Sequence, residues 1–139
     1  MKNIYMGLLL FLTACSSNSR YSVQVVTQQQ EDRAQIEQMP TQFSMGIDED
    51  NAAWMRTQLF FEQYLSGDGI KRKQDQYIAT TSGKYIYEVR RRVHRTSSEY
   101  SVICKVNSPE ATSEKAEINA KNVSRFIRTG LLEMVLLDK

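Results

Sequence analysis

Hydrophobic and polar positions along the chain follow two different periods, and these periods predict its elements. Across residues 51–65 the apolar side chains recur three and four positions apart, as on one face of an α-helix. Three later segments are rich in Tyr, Ile, Val and Thr and alternate as in β-strands, namely residues 76–81, 85–95 and 100–106. The helical spacing then returns and continues to the end of the chain. The pattern predicts an α+β fold, in which a small antiparallel sheet of about three strands has one helix before it and a longer helix after it.

Capping residues indicate where the two helices begin and end. Asp50 is expected to be the N-cap of the first helix, because an aspartate there accepts backbone N–H groups and complements the helix dipole. The second helix is expected to begin at Ser108 or at Ser113, both of which suit a helix start. Its apolar stripe continues to Leu137, so we expect the helix to run that far.

The second and third predicted strands form a hairpin with a loop at residues 96–99. This loop pairs Val93 with Val102, and it places the apolar side chains of both strands on one face. The same alternation sends three basic residues to the opposite face, namely Arg90, Arg92 and His94. They are expected to form a basic ridge for lipid phosphates, lipopolysaccharide or an acidic partner. The alternative is a solvated sheet face whose charges discourage edge-to-edge aggregation.

The first fifteen residues differ in character from the rest of the chain. Lys2 is followed by the apolar run 6–12, which is about half the ~20 residues needed to cross a bilayer and suits the core of a signal peptide. The run ends in Leu12-Thr13-Ala14-Cys15, which resembles the lipobox of bacterial lipoproteins. The resemblance implies cleavage before Cys15, a diacylglycerol on its sulfur and an acyl chain on its new amino group. Ser16 stands where an aspartate would imply inner-membrane retention, so the resemblance implies the periplasmic face of the outer membrane.

These features divide the chain into a signal peptide (1–14), a lipidated cysteine with a polar, Gln-rich tether (15–49) and a small α+β domain (50–139). If the tether is flexible, its root-mean-square reach is roughly 30–35 Å. Within it, residues 21–26 are expected to form either a short edge strand or a strand added to a partner. Helix-forming residues between 29 and 39 are followed by Pro40, which ends any helix there.

Composition excludes several kinds of chemistry. The chain has one His and two Cys, and Cys15 is assigned to the anchor, so we expect neither a metal site nor a disulfide within the chain. With 18 basic and 16 acidic residues, the net charge of +2 is too small to indicate nucleic-acid binding. We find no phosphate-binding glycine loop, nucleophile elbow or catalytic carboxylate pair, and therefore predict no catalytic residues, no cofactor beyond the acyl chains and no enzymatic activity. Cys104 is expected to be a small core residue.

The end of the chain is more apolar than a terminal helix requires. The stretch from residue 131 to residue 137 is apolar almost all round the predicted helix, although such a helix ordinarily keeps one polar face. We therefore predict a partner-binding helix whose contact residues are Leu131, Leu132, Met134, Val135 and Leu136.

Taken with the anchor, this apolar surplus predicts a non-enzymatic accessory, pilot or scaffold lipoprotein. It would serve a larger cell-envelope complex, such as a secretion or motility machine, and bind a protein partner there. The alternative is a lipid- or peptide-binding lipoprotein. Its groove would lie between the sheet and the last helix, rimmed by Tyr85, Tyr87 and Phe126.

Overall fold

The computed structural model describes residues 30–65, 69–134 and 137. The chain divides into two compact units, Met1–Arg33 and Ala34–Lys139, and only residues 30–33 of the first are described. Helix α1 covers residues 30–37, which confirms a helix ahead of Pro40. No helix in the described ranges is long and apolar enough to span a bilayer.

The second unit is α+β, but its sheet is larger than predicted. Five antiparallel strands form it in the order β1-β5-β4-β3-β2, so the expectation of about three strands is wrong. The strands are β1 (Gln42–Gly46), β2 (Lys71–Lys73), β3 (Tyr77–Ser82), β4 (Tyr85–Val93) and β5 (Ser97–Val106). The two unpredicted strands lie at the edges, where backbone pairing to β5 and β3 holds them. β2 escaped prediction because it is three exposed cationic residues, and β1 because its alternation rests on only two apolar residues, Phe43 and Met45.

The folded unit therefore begins before the predicted domain boundary at residue 50. Strand β1 lies within the stretch that we predicted as tether, and Ile36 ahead of it is completely buried. A stretch that supplies a sheet strand and a buried side chain is part of the fold rather than a spacer. The amino-terminal part of the predicted tether lies outside the described residues.

The β4–β5 hairpin turns earlier than predicted. Its loop is residues 94–96 instead of 96–99, and the His94 N–H donates to the Ser97 carbonyl at 2.8 Å. Consequently Val89, not Val93, pairs with Val102. The displacement is four residues, an even number, so the apolar side chains of both strands still share one face.

Helix α2 (Ile47–Leu59) begins three residues earlier than its predicted cap. Gly46 is the N-cap, and Asp50 lies within the first turn with its side chain buried, so the prediction that Asp50 caps the helix is wrong. A π-helical turn, Phe60–Tyr64, follows α2 directly. It carries Phe60 and Phe61 into the core, where both rings are buried.

Helix α3 (Ser113–Thr129) is shorter than predicted. It begins at the later of the two expected starts, where the Thr112 hydroxyl accepts a hydrogen bond from the Lys115 N–H at 3.2 Å. It ends at Gly130, whose positive φ of 81° stops the helix in a left-handed turn. The predicted continuation of this helix to Leu137 is therefore wrong.

Helices α2 and α3 pack on the same face of the sheet and enclose an aromatic core. The Phe60 ring lies 5.8 Å from the Tyr87 ring and 6.3 Å from the Phe126 ring, between centroids. Tyr85, Tyr87 and Phe126 are all buried. These three side chains therefore fill the core and do not rim a groove, contrary to the alternative prediction.

The segment after α3 is held against the helix by one buried asparagine. The Asn122 amide nitrogen donates to the Glu133 carbonyl at 2.8 Å, and its amide oxygen accepts from the Glu133 N–H at 3.0 Å. The side chain thus pairs with the backbone as a neighbouring strand would. Leu132 packs against the core and Leu137 is buried within it, which accounts for part of the apolar surplus at the end of the chain.

Replacing Asn122 by alanine is expected to lower the free energy of unfolding by about 2–3 kcal/mol, because it leaves two backbone groups without their partner. Urea denaturation would measure the loss, and faster hydrogen exchange at Glu133 would locate it. Asn51→Ala is the matched control, since Asn51 is an exposed asparagine in α2. An equal effect of both substitutions would contradict this account.

Candidate functional site

The face of the sheet turned away from α2 and α3 carries the three predicted basic residues. Arg90 and Arg92 lie on β4 with side chains 62% and 79% exposed. His94 follows the strand, and its Nε2 lies 3.3 Å from Glu99 Oε2, the same oxygen that Arg92 approaches at 3.9 Å. The structure therefore brings all three residues to one open face, as predicted.

Two carboxylates that the sequence analysis did not include share this face. Glu99 stands across from Arg92 in the β4–β5 pair, and Glu88 precedes Arg90 by two positions on β4. Arg90 Nε lies 2.5 Å from Glu88 Oε1, and Lys105 Nζ lies 3.8 Å from Glu88 Oε2. The face therefore holds both signs of charge and is not a uniformly basic ridge.

A row of polar side chains crosses all five strands on this face. Register places them side by side in the order Lys73, Tyr77, Arg90, Ser101 and Gln42. At a strand spacing of roughly 4.8 Å the row is about 19 Å long. We call it the central row.

A shallow cleft of about 920 Å³ follows the central row. Apart from Arg91, which is paired with an aspartate, its charged lining consists of the cations Lys73, Arg90 and Arg92 and the carboxylate Glu99. Cationic side chains thus outnumber anionic ones, and two are guanidinium groups that bind carboxylates or phosphates with two parallel hydrogen bonds. Tyr, Ser and Gln side chains beside them add neutral hydrogen-bonding groups. The arrangement suits an extended ligand that carries negative charge.

Arg91 lies between the two exposed arginines in sequence but points into the protein. Its Nε donates to Asp50 Oδ1 at 3.1 Å and its Nη2 donates to Asp50 Oδ2, while the Tyr100 hydroxyl donates to Asp50 Oδ1 at 2.7 Å. The Asp50 and Arg91 side chains are only 2% and 10% exposed. The Arg91 guanidinium also lies over the Trp54 ring, 5.2 Å from its centroid. These contacts tie α2 to the centre of the sheet.

The protonation of this network follows from its contacts. Burial by itself would raise the pKa of Asp50, but hydrogen bonds from Arg91 and Tyr100, together with the positive charge of Arg91, hold that pKa below its ordinary value. Burial, and then the hydrogen bond to the Asp50 carboxylate, raise the pKa of Tyr100 well above its ordinary value. At neutral pH the Asp50 carboxylate is therefore charged and the Tyr100 phenol is protonated. The carboxylate can then accept the hydrogen bonds from both Arg91 and Tyr100.

Sequence reasoning missed this network, although one signal for it was present. Arg91 occupies an inward position in the alternation of β4, and a charge on that face needs a buried partner of opposite sign. Asp50 had been assigned to a helix cap, so the 41-residue separation of the pair hid the partnership.

Helix α3 ends before the predicted partner-binding residues, so the described ones among them do not continue it. Leu131 and Met134 are exposed, Leu132 packs against the core, and Val135 and Leu136 lie outside the described residues. Cys15, the predicted lipidation site, also lies outside them.

Cys104 lies on the inner face of β5 and is half-buried against the core. Burial raises the pKa of its thiol to about 12, so the sulfur is protonated at neutral pH and is a poor nucleophile. Within the ranges that the structure describes, no group of three or more His, Cys, Asp and Glu side chains is placed to hold a metal ion.

No protein-family model, curated protein or solved structure matches the chain.

Proposed function

We propose that the protein is a non-enzymatic, lipid-anchored accessory subunit of a cell-envelope complex, and that it binds an acidic segment of a partner protein on the open face of its sheet. The observation that carries the proposal is the central row with its cleft, in which Lys73, Arg90 and Arg92 stand on a face that α2 and α3 leave uncovered. The lipobox resemblance of residues 12–15 supports the lipid anchor, and Ser16 after it supports the periplasmic face of the outer membrane as the location.

The open face suits a partner protein better than a membrane surface. Each Lys or Arg near an anionic bilayer contributes roughly 1 kcal/mol of attraction, and carboxylates in the same surface oppose it. Glu88 and Glu99 lie among the cations here, together with neutral hydrogen-bonding groups. Two or more acyl chains on Cys15 would already supply stable membrane binding. The mixed face is therefore available for a polar partner of matching charge pattern.

The open face also replaces the predicted C-terminal helix as the main contact surface. Only Leu131 and Met134 among the described residues of that segment are exposed apolar side chains. Two such residues make a small patch, whereas the central row extends across the whole sheet. Leu132 and Leu137 of the same segment belong to the core.

Charge reversal at two arginines of the open face tests the proposal. In the full-length chain, Arg90→Glu combined with Arg92→Glu is expected to reduce recovery of the crosslinked partner from cell envelopes at least tenfold, because the acidic segment is then repelled. Quantitative mass spectrometry of the crosslinked material measures the loss. Because Arg90 pairs with Glu88, whose side chain is only 8% exposed, thermal unfolding is measured first and recovery is compared at a temperature where both proteins are folded.

The matched control combines Arg72→Glu with Lys84→Glu, which changes the net charge equally. Arg72 pairs with Glu62 and Lys84 with Glu110, both away from the central row. This control should recover the partner as wild type does. Wild-type recovery by the Arg90 and Arg92 variant would overturn the proposal. If the Arg90 and Arg92 variant retained the partner but no longer bound vesicles of anionic lipid, the open face would instead be assigned to lipid.

A further inference from the structure

Strand β5 is twice as long as the edge strand that covers it. β1 has five residues and pairs with Ser97–Ser101, whereas β5 has ten. Among the described residues, the last backbone hydrogen bond on this side joins the Val102 N–H to the Thr41 carbonyl at 2.8 Å. Pro40, which has no N–H, stands immediately before Thr41. The final residues of β5 therefore continue beyond the strand that protects their edge.

Backbone groups at this uncovered edge point outward. In an antiparallel strand successive residues direct their N–H and C=O groups to opposite sides. The Asn107 N–H bonds to the Lys84 carbonyl on the β4 side, so Cys104 and Val106 direct theirs to the same side as Val102. In the described part of the chain, no backbone hydrogen bond beyond that of Val102 is made on this side.

A cleft of about 490 Å³ runs along the same edge, between β5 and α3. Its apolar walls are Val102, Cys104 and Val106 from the strand and Ala116 and Ala120 from the helix. The two alanines are each 4% exposed and lie at the floor of the cleft. Val106 is 39% exposed at its rim. An apolar side chain that enters there would lie directly beside the outward-pointing backbone groups.

We propose that this edge is a strand-addition site for an extended peptide segment of a partner protein. The peptide backbone pairs with Cys104 and Val106, and alternate apolar side chains of the peptide enter the cleft against Ala116 and Ala120. An extended backbone matches both features, because it supplies donors and acceptors for the edge together with side chains that alternate at the strand period. An acyl chain would fill the cleft but leave the backbone groups without hydrogen bonds.

The site is separate from the acidic-partner surface. The central row lies on the open face of the sheet, whereas this cleft lies on the helix side of β5. The two sites can be occupied together. Strand addition therefore stands or falls independently of the function proposed above.

The test pans a phage-displayed library of random ten-residue peptides on the full-length chain. The enriched peptides should alternate apolar and polar residues and should shift the amide resonances of Cys104 and Val106. Val106→Lys is expected to weaken their binding about tenfold, because it replaces an apolar contact of the peptide by a charged side chain. Val93→Lys is the matched control. Val93 is 47% exposed at the end of β4 that lies away from Val106, so this variant should bind the peptides as the wild type does.

A second comparison separates strand pairing from simple apolar contact. Methylating alternate backbone nitrogens of the best peptide removes its donors along one edge and leaves its side chains unchanged. Methylation on the pairing edge should abolish binding, and methylation on the other edge should not. Equal binding of both methylated forms, equal binding by the Val106 variant, or failure to enrich any peptide would each overturn the proposal.

Discussion

Replacing Asp50 by asparagine is expected to lower the free energy of unfolding by about 3–5 kcal/mol, because it leaves the Arg91 guanidinium buried without its counter-charge. Asparagine keeps the shape of the side chain, so the lost free energy of unfolding measures the contribution of the charge and not that of packing. The pair is 2% and 10% exposed, which leaves solvent little opportunity to screen it. A loss of this size is comparable with the whole stability of a marginal domain.

The same substitution should change the acid dependence of stability. The pKa of Asp50 is lowered in the folded protein, so its contribution is present above the unfolded pKa, about 3.9, and is lost as pH falls through the lower folded value. The stability difference between wild type and Asp50→Asn should therefore be full at neutral pH and shrink below about pH 4. Tyr100, whose pKa is raised, contributes stability below about pH 10 that is lost in more alkaline solution.

Chemical denaturation at several pH values measures both effects. Asp48→Asn is the control, because Asp48 lies in the same helical turn but is exposed. Asp50→Leu combined with Arg91→Met removes both charges and should recover most of the stability that Asp50→Asn loses. A loss below about 1 kcal/mol for Asp50→Asn, the value expected of an exposed ion pair, would show that the pair is not structurally important.

Replacing Cys15 by serine is expected to abolish acylation and to leave the protein without its membrane anchor. By the lipobox resemblance the sulfur carries the diacylglycerol, and a hydroxyl in its place receives none. Stable anchoring needs at least two acyl chains, because a single myristoyl chain gives a membrane association constant of only about 10⁴ M⁻¹. A variant that carries no acyl chain therefore has no stable membrane binding. Metabolic labelling with palmitate and fractionation of membranes measure the two consequences.

Cys104→Ser is the matched control for the anchor. Cys104 is half-buried in the folded unit, and its replacement should leave palmitate labelling unchanged. Unchanged labelling of the Cys15 variant would contradict the lipobox interpretation. It would not affect the strand-addition site, which depends on β5 and α3 alone.

The sequence predicted the faces of the central strands correctly and their register wrongly, for one physical reason. Side chains in a strand alternate with a period of two, so any even displacement keeps the same residues together. The hydrophobic pattern therefore excludes a shift of β4 against β5 by one residue, but it is equally compatible with a shift of four residues. The deciding information was the short loop after Val93, closed by the His94 and Ser97 backbone groups.

The residues of the candidate site likewise fall into those that the sequence could predict and those that it could not. Arg90, Arg92 and His94 were predictable because alternation alone assigns their face. Asp50 and Arg91 were not, because their contact depends on how α2 lies across the sheet, and no local pattern encodes that. The predicted helix beyond residue 130 failed because apolar residues promote burial in any conformation, and the left-handed turn at Gly130 reverses the helical path.

The strand order has a consequence for synthesis. β3, β4 and β5 are joined by short turns and can pair as soon as each is made, whereas β1 pairs with a strand that begins 51 residues after β1 ends. At roughly 5–20 residues per second, β1 waits several seconds for its partner. Non-local pairing also closes more slowly than hairpins do. The amino-terminal strand β1 is therefore translated first and incorporated into the sheet last.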